Sequence, residues 1–202
     1  NLASSMSPAN SWQPAFHGAT IRNLYPGRSG LQGILAVHLY ECGFTGIDDA
    51  PSDVFGTIIG DRFEPELAIE NLGDPYRIEQ NYFKFFACCR QNHSPLQAVL
   101  QAKSHNRFRP EEVESVNITT RHMLDGMFTH AYPESMLGAK FNAPFAVAAA
   151  IVRGAADVNS FRPDAMNDER IQSLSNKVKV VVDPQLGAHQ ENGPFSTATI
   201  RL

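Results

Sequence analysis

An α+β fold is predicted for this chain, and three observations predict it. Segments with helical spacing and segments with alternating spacing follow each other irregularly: helix, strand, helix, strand, helix, helix, strand, strand. The last two alternating runs are neighbours in sequence, which predicts a closing hairpin. Hydrophobic residues make up 43% of the 202 residues and charged ones 19%, so apolar material suffices for a sizeable core. The expected architecture is a small, mainly antiparallel sheet covered by helices, flanked by a further helical segment.

The elements can be justified in order. Leu2, Ala3 and Met6 look like the last turn of an amphipathic helix. Residues 10–27, with Pro14, Gly18, Pro26 and Gly27 as breakers, read as a long ordered loop. From Arg28, Leu31, Ile34, Leu35, His38 and Leu39 fall at helical spacing, and Gly43 sits where a helix-ending glycine belongs. Gly46 to Asp53 is a turn segment, with Pro51 suited to the first position of a helix. Pro65 to Leu72 reads as a helix closed by Gly73-Asp74-Pro75, and the aromatic, β-branched run Tyr76–Phe86 as a strand. Ser94-Pro95 opens a helix to about Lys103, and Val113–Thr120 alternates as a strand. Ala139 to Arg153 is a long small-residue helix ended by Gly154, and Asn167-Asp168-Glu169 caps another through Ser175. Val178–Val182 and Ser196–Leu202 close the chain as strands around a Pro- and Gly-containing loop. The opening without an initiator methionine and the abrupt final strand lead us to expect a piece of a longer chain.

Seventeen Lys and Arg against twenty-one Asp and Glu give a net charge of -4. That balance offers no electrostatic footprint for nucleic acid or an anionic membrane. The longest apolar run, Phe145 to Val152, is far short of the roughly 20 residues of a membrane-spanning helix. Three cysteines, two of them adjacent, cannot build a disulfide framework, so a reducing, cytoplasmic compartment is expected.

Reactive groups are densest in Lys84-Phe85-Phe86-Ala87-Cys88-Cys89-Arg90-Gln91-Asn92-His93, just before a helix. A helix N-terminus with a lysine, an arginine and a histidine beside it suits a carboxylate. Cys89 among such cations could act as acid, base or nucleophile. The competing reading makes both cysteines small hydrophobes and leaves Lys84 and Arg90 solvated. Metal binding is not expected: adjacent cysteines on a strand point to opposite faces, and no second Cys or His pair completes a site. Arg22 and Arg28, flanking Tyr25-Pro26-Gly27, form a second possible anion site, or an arginine-decorated loop. It is not a Walker loop, since the Gly-Lys-Ser/Thr ending is absent. Tyr132, on a loop before a helix, is either a site phenol or a packing residue.

Four blocks in the same order resemble the MmgE/PrpD family. Gly27-Arg28-Ser29-Gly30 leads into a helix that ends Gly43-Phe44-Thr45-Gly46. Lys84 to His93 resembles the family's Lys-x-Tyr/Phe-Pro-Cys-Cys-Arg-x-x-His block. Ala139-Lys140-Phe141-Asn142-Ala143-Pro144-Phe145-Ala146-Val147-Ala148 resembles its Ala-Lys-Phe-Ser-x-Pro-Tyr-Ala-Val-Ala helix, and Val180-Val181-Val182-Asp183-Pro184-Gln185-Leu186 its strand exit. The family includes 2-methylcitrate dehydratase, cis-aconitate decarboxylase and iminodisuccinate epimerase. It joins a large all-helical domain to a smaller α+β lid, with the active site between them.

The resemblance implies that residues 1–50 end the helical domain and residues 51–202 form the lid. It implies proton transfer next to a carboxylate of a di- or tricarboxylic acid, foremost a 2-methylcitrate dehydratase-like dehydration, in a cytoplasmic homodimer that needs no metal or other cofactor. Lys84, Cys89 and Tyr132 take the catalytic positions, and Arg22, Arg90 and His93 the substrate-binding ones. The chain by itself, lacking upstream site residues, would then be inactive. Three departures stand out: the family's lysine and histidine fall on Arg22 and Tyr25, and its proline before the two cysteines is Ala87, which is expected to loosen the loop. Arginine can hold a carboxylate but cannot give up a proton near neutral pH. Those departures also fit a second reading, an inactive lid that binds a carboxylate or supports dimer contact.

Overall fold

The computed structural model describes residues 1–7, 10–127, 132–187 and 195–202. It divides into two compact units, Asn1–Ser11 with Ile21–Phe83, and Trp12–Thr20 with Lys84–Leu202. Among the described residues no helix is long and apolar enough to cross a membrane.

In the first unit, α1 (Leu2–Ser5) packs on α3 (Tyr25–Glu41), followed by a π-helical stretch Ser52–Ile59 and α4 (Pro65–Ile69). The expected long loop at 10–27 instead holds α2 (Gln13–Phe16), which belongs to the second unit, and a 3-10 turn at Thr20–Leu24. Pro14 and Pro26 each occupy the first turn of a helix. There a missing N–H costs nothing, and the fixed φ favours helix initiation, so these prolines start helices where breakers were expected. α3 ends as expected, with Gly43 at φ 87° just beyond its last turn.

The expected strand Tyr76–Phe86 does not form. A 3-10 turn spans Arg77–Gln80 and irregular backbone follows it. Tyr76, Ile78, Tyr82, Phe83 and Phe85 are all exposed, Phe83 at 88%. Aromatic and β-branched residues favour a strand only where a pleated neighbour covers them, and these have none.

The second unit carries the sheet. β1 (Ser115–Thr120) lies between β2 (Val178–Val182) and β3 (Ser196–Arg201). β1 runs parallel to β2, with Ile118 opposite Val180, and antiparallel to β3, with Ile118 opposite Ala198. The α+β class is as expected, but the sheet is mixed, and its last two strands do not pair as a hairpin. A parallel neighbour needs a crossover. Here α6 (Met136–Phe141), α7 (Ala143–Arg153), α8 (Pro163–Met166) and α9 (Glu169–Ser175) supply it between β1 and β2. Part of the expected closing loop, residues 188–194, lies outside the described residues.

α5 (His93–His105) and α7 cover one face of this sheet. Leu96, Val99, Val116, Ile118, Phe145, Val147, Ile151, Phe161, Ile171 and Val178 form the buried core between them. Phe145 sits at its centre, its ring 5.6 Å from Tyr132 and 6.1 Å from Phe161. A smaller cluster of Met123, Met127 and Ala143 packs with Phe16, Leu124 and Val182.

The predicted long helix Ala139–Arg153 is two helices that meet at Asn142. That residue leaves the helical region at ψ 110°, and its side chain accepts a hydrogen bond from the Phe145 N–H at 2.8 Å. The break has a covalent cause. Pro144 has no N–H to donate to the Lys140 carbonyl four residues back, and its ring would clash with that carbonyl in a continuous helix. The Lys140 carbonyl is left open to another donor. Gly154 ends α7 at φ 73°, its N–H returning to Ala150, as its position in sequence predicts.

Candidate active site

The opened Lys140 carbonyl has taken two donors from the Lys84–His93 block. The Cys89 N–H reaches it at 2.9 Å and the Asn92 side-chain amide at 3.3 Å. Two sequence blocks about fifty positions apart are thereby joined in one corner at the foot of α5. A third tether comes from Ala87, whose N–H donates to the Ala156 carbonyl at 3.0 Å. A proline could not make that bond. The departure from the family's proline therefore adds a tether where a looser loop was expected. A 3-10 turn, Arg90–Asn92, closes on the Cys89 carbonyl through the Asn92 N–H at 3.0 Å and leads directly into α5.

The two adjacent cysteines point into different surroundings. Cys88 is buried in the main core, while Cys89 is half-buried against the smaller cluster. Burial pushes the Cys88 thiol up to about 12, and neighbouring Cys89 adds to the rise. Lys84, the Asn92 amide and Lys140 pull the other way. Cys88 is therefore a protonated, unreactive thiol at neutral pH. Native-state alkylation with iodoacetamide is expected to label exposed Cys42 fastest and Cys88 slowest. Peptide mass spectrometry after timed quenching checks this, and equal rates at Cys42 and Cys88 would contradict the burial.

His93 opens α5 with its ring edge-on to Phe86, centroids 5.2 Å apart. Burial lowers its pKa, and the cations Lys84 and Arg90 lower it further, against the pull of the Cys88 and Phe86 backbone. The imidazole is neutral at pH 7, able to give or take a proton. Its Nε2 is buried, and so is the Asn92 Oδ1, each without a hydrogen-bond partner among the described residues. Lys84 is exposed at the edge of this corner. Lys84, Arg90, Lys140 and His93 thus gather around the two cysteines, and the cations give the corner a positive field suited to an anion.

The other expected residues are placed differently. Tyr132 packs edge-on against Phe145, and its hydroxyl donates to the Met166 carbonyl at 2.8 Å. Burial, reinforced by the Asp168 carboxylate, pushes its pKa up to about 12. The unfolded tyrosine ionises near 10 and the folded one near 12, so folding stability falls as pH climbs through that interval. Tyr132→Phe is expected to flatten this loss, read as the urea midpoint of variant and wild type followed from about pH 9 to about pH 12. An unchanged pH profile would contradict it. Arg22 belongs to the first unit, its guanidinium 5.6 Å from the centre of the Tyr25 ring. Two of the three positions that depart from the family pattern, Arg22 and Tyr25, thus lie against each other.

Lys140 and Asn92 were not singled out by sequence reasoning. Lys140 fell inside a stretch that reads as helix packing, and Asn92 at a variable position of its block. One signal could have found them: a proline four residues after a carbonyl leaves that carbonyl seeking a donor.

Comparison with known proteins gives two matches. The MmgE/PrpD C-terminal domain model matches residues 86–201. The cis-aconitate decarboxylase-like protein oryM of Aspergillus oryzae is 23% identical over 178 residues, covering 80% of this chain and 36% of that relative. The chain therefore spans little more than a third of that relative's length.

Proposed function

The chain belongs to the MmgE/PrpD family, and from that premise we propose that it forms part of an enzyme that moves a proton at a carbon next to a carboxylate of a di- or tricarboxylic acid. The observation that carries this reading is the Cys89–Lys140 hydrogen bond, which draws the cations of two separate blocks around one pair of cysteines. Removing such a proton builds negative charge on the neighbouring carboxylate, so positioned cations lower the barrier most. Lys84 and Arg90 hold the carboxylates, and Arg22, in the first unit, is proposed by itself as a carboxylate-binding residue. Cys89 gives or takes the proton, His93 lines the same wall as a neutral partner, and Tyr132 supports the site's edge.

Dehydration of the 2-methylcitrate type is the first outcome proposed. A base takes the proton, the electron pair forms the new carbon–carbon double bond, and hydroxide leaves with a proton supplied by an acid. A second outcome is supported by the name of the Aspergillus oryzae relative. There a carboxylate leaves as carbon dioxide, and the carbon that keeps the electron pair is protonated. Both need the same cations and the same proton-handling group. We place the enzyme in the reducing cytoplasm, consistent with three free thiols, and as a homodimer.

The test is a panel of 2-methylcitrate, citrate and cis-aconitate offered to the full-length protein, with substrates and products followed by proton NMR. Loss of one of these acids to an unsaturated or decarboxylated product supports the proposal. No turnover of any of them, with the protein folded, would overturn it.

A further inference from the structure

Resting on that reading of the site, we infer that Asn92 is a positioning residue, which fixes Cys89 by completing the set of donors on the Lys140 carbonyl that Pro144 leaves open. The side chain is nearly sealed from solvent, at 1% exposure. Its amide donates to Lys140, and its backbone N–H donates to the Cys89 carbonyl. The same carbonyl of Lys140 accepts the Cys89 N–H. Both ends of the Cys89 residue are therefore held, one directly by Lys140 and the other through Asn92.

Packing alone does not explain an asparagine here. Its Oδ1 is buried without a partner among the described residues, and a buried acceptor left unpaired is destabilising. Leucine has similar bulk and would avoid that cost, since Leu96 and Val99 already pack the adjoining α5 into the core. What leucine cannot supply is a donor for the Lys140 carbonyl. A destabilising group kept at the foot of a reactive loop is expected where it holds geometry. Proline at 144 and asparagine at 92 thus form one device. The first denies Lys140 its helical partner, and the second, with the Cys89 amide, takes the vacated place.

The experiment compares the full-length wild type with Asn92→Leu and Pro144→Ala. The second variant restores a helical N–H to compete for Lys140 and removes no side chain assigned to the substrate. Hydrogen–deuterium exchange by mass spectrometry reads the peptide spanning residues 86–93, and steady-state kinetics reads kcat and KM separately. Both variants are expected to raise exchange in 86–93 by about tenfold while β1 to β3 keep their protection. kcat is expected to fall on the order of 10- to 100-fold, because a small displacement of the proton-handling group suffices for such a loss. KM should stay within about threefold, since the cations that hold the substrate remain.

Unchanged exchange in 86–93 in both variants would overturn the inference. So would loosened exchange with an unchanged kcat, because Asn92 would then only support the fold. If Asn92→Leu loses protection everywhere, Pro144→Ala alone decides by the same two readouts. If the wild type turns over none of the acids, the proposed function fails, while the exchange measurement still decides whether Asn92 holds the Cys89 corner.

Discussion

Lys84→Ala in the full-length protein is expected to lower kcat/KM by about 2–4 kcal/mol of transition-state stabilisation, the scale of losing one preorganised group that meets developing charge. Lys84 is suited to that effect, standing beside the Cys88–Cys89 corner where it favours the thiolate form of Cys88. It is exposed, and the tethers of the corner run through Ala87, Cys89 and Asn92, so its removal leaves the loop anchored. The variant should melt like the wild type while its rate collapses. Lys84→Arg, which keeps the charge but changes its shape, should recover part of the binding and little of the rate. Wild-type kinetics for the alanine variant would mean that the corner is scaffold.

The second large effect concerns the core. Phe145→Ala should destabilise the protein by about 3–5 kcal/mol, combining lost transfer energy with a cavity that rigid neighbours cannot fill. Phe145 is fully buried, with Tyr132 and Phe161 against its ring and helix backbone on its own side. Its N–H is also the one that Asn142 caps, so the side chain hangs from the first turn of α7. The cavity would open beneath Tyr132 and beside the start of the helix that the site leans on. Equilibrium denaturation in urea gives the measurement. A midpoint shift equivalent to less than about 1 kcal/mol would contradict the placement of Phe145 at the centre of the core.

How much of this was legible in sequence depended on whether local chemistry decided the outcome. Val178–Val182 is a strand within its expected bounds because β-branched residues there meet a partner in β1. α7 ends where Gly154 permits a left-handed residue, and α9 starts where Asp168 caps the Arg170 N–H. Such signals are written in single residues. Tyr76–Phe86 misled because its strand character is a preference for covered surfaces, and Tyr76, Ile78, Phe83 and Phe85 stay largely exposed with no strand beside them among the described residues. The order of strands was hidden for a related reason. Whether β2 pairs with β3 or with β1 is settled by the helices that connect β1 to β2 and pack on the sheet, and no run of residues states it. At the site, the cluster of Lys84, Arg90 and His93 around two cysteines was visible as composition. Its geometry was not, because the Lys140 carbonyl that organises it is backbone, and only its pairing with Pro144 betrays it.

The central claim is proton transfer next to a carboxylate, carried out around Cys89 and Lys84. Turnover of 2-methylcitrate and cis-aconitate by the full-length protein in deuterium oxide, followed by NMR, tests it most directly. Solvent deuterium is expected at the carbon that is protonated when a carboxylate leaves cis-aconitate, and in 2-methylcitrate recovered after its dehydration has run in both directions. Lys84→Ala and Cys89→Ala are expected to suppress it. A decarboxylated product without deuterium, or incorporation unchanged in both variants, would contradict the claim.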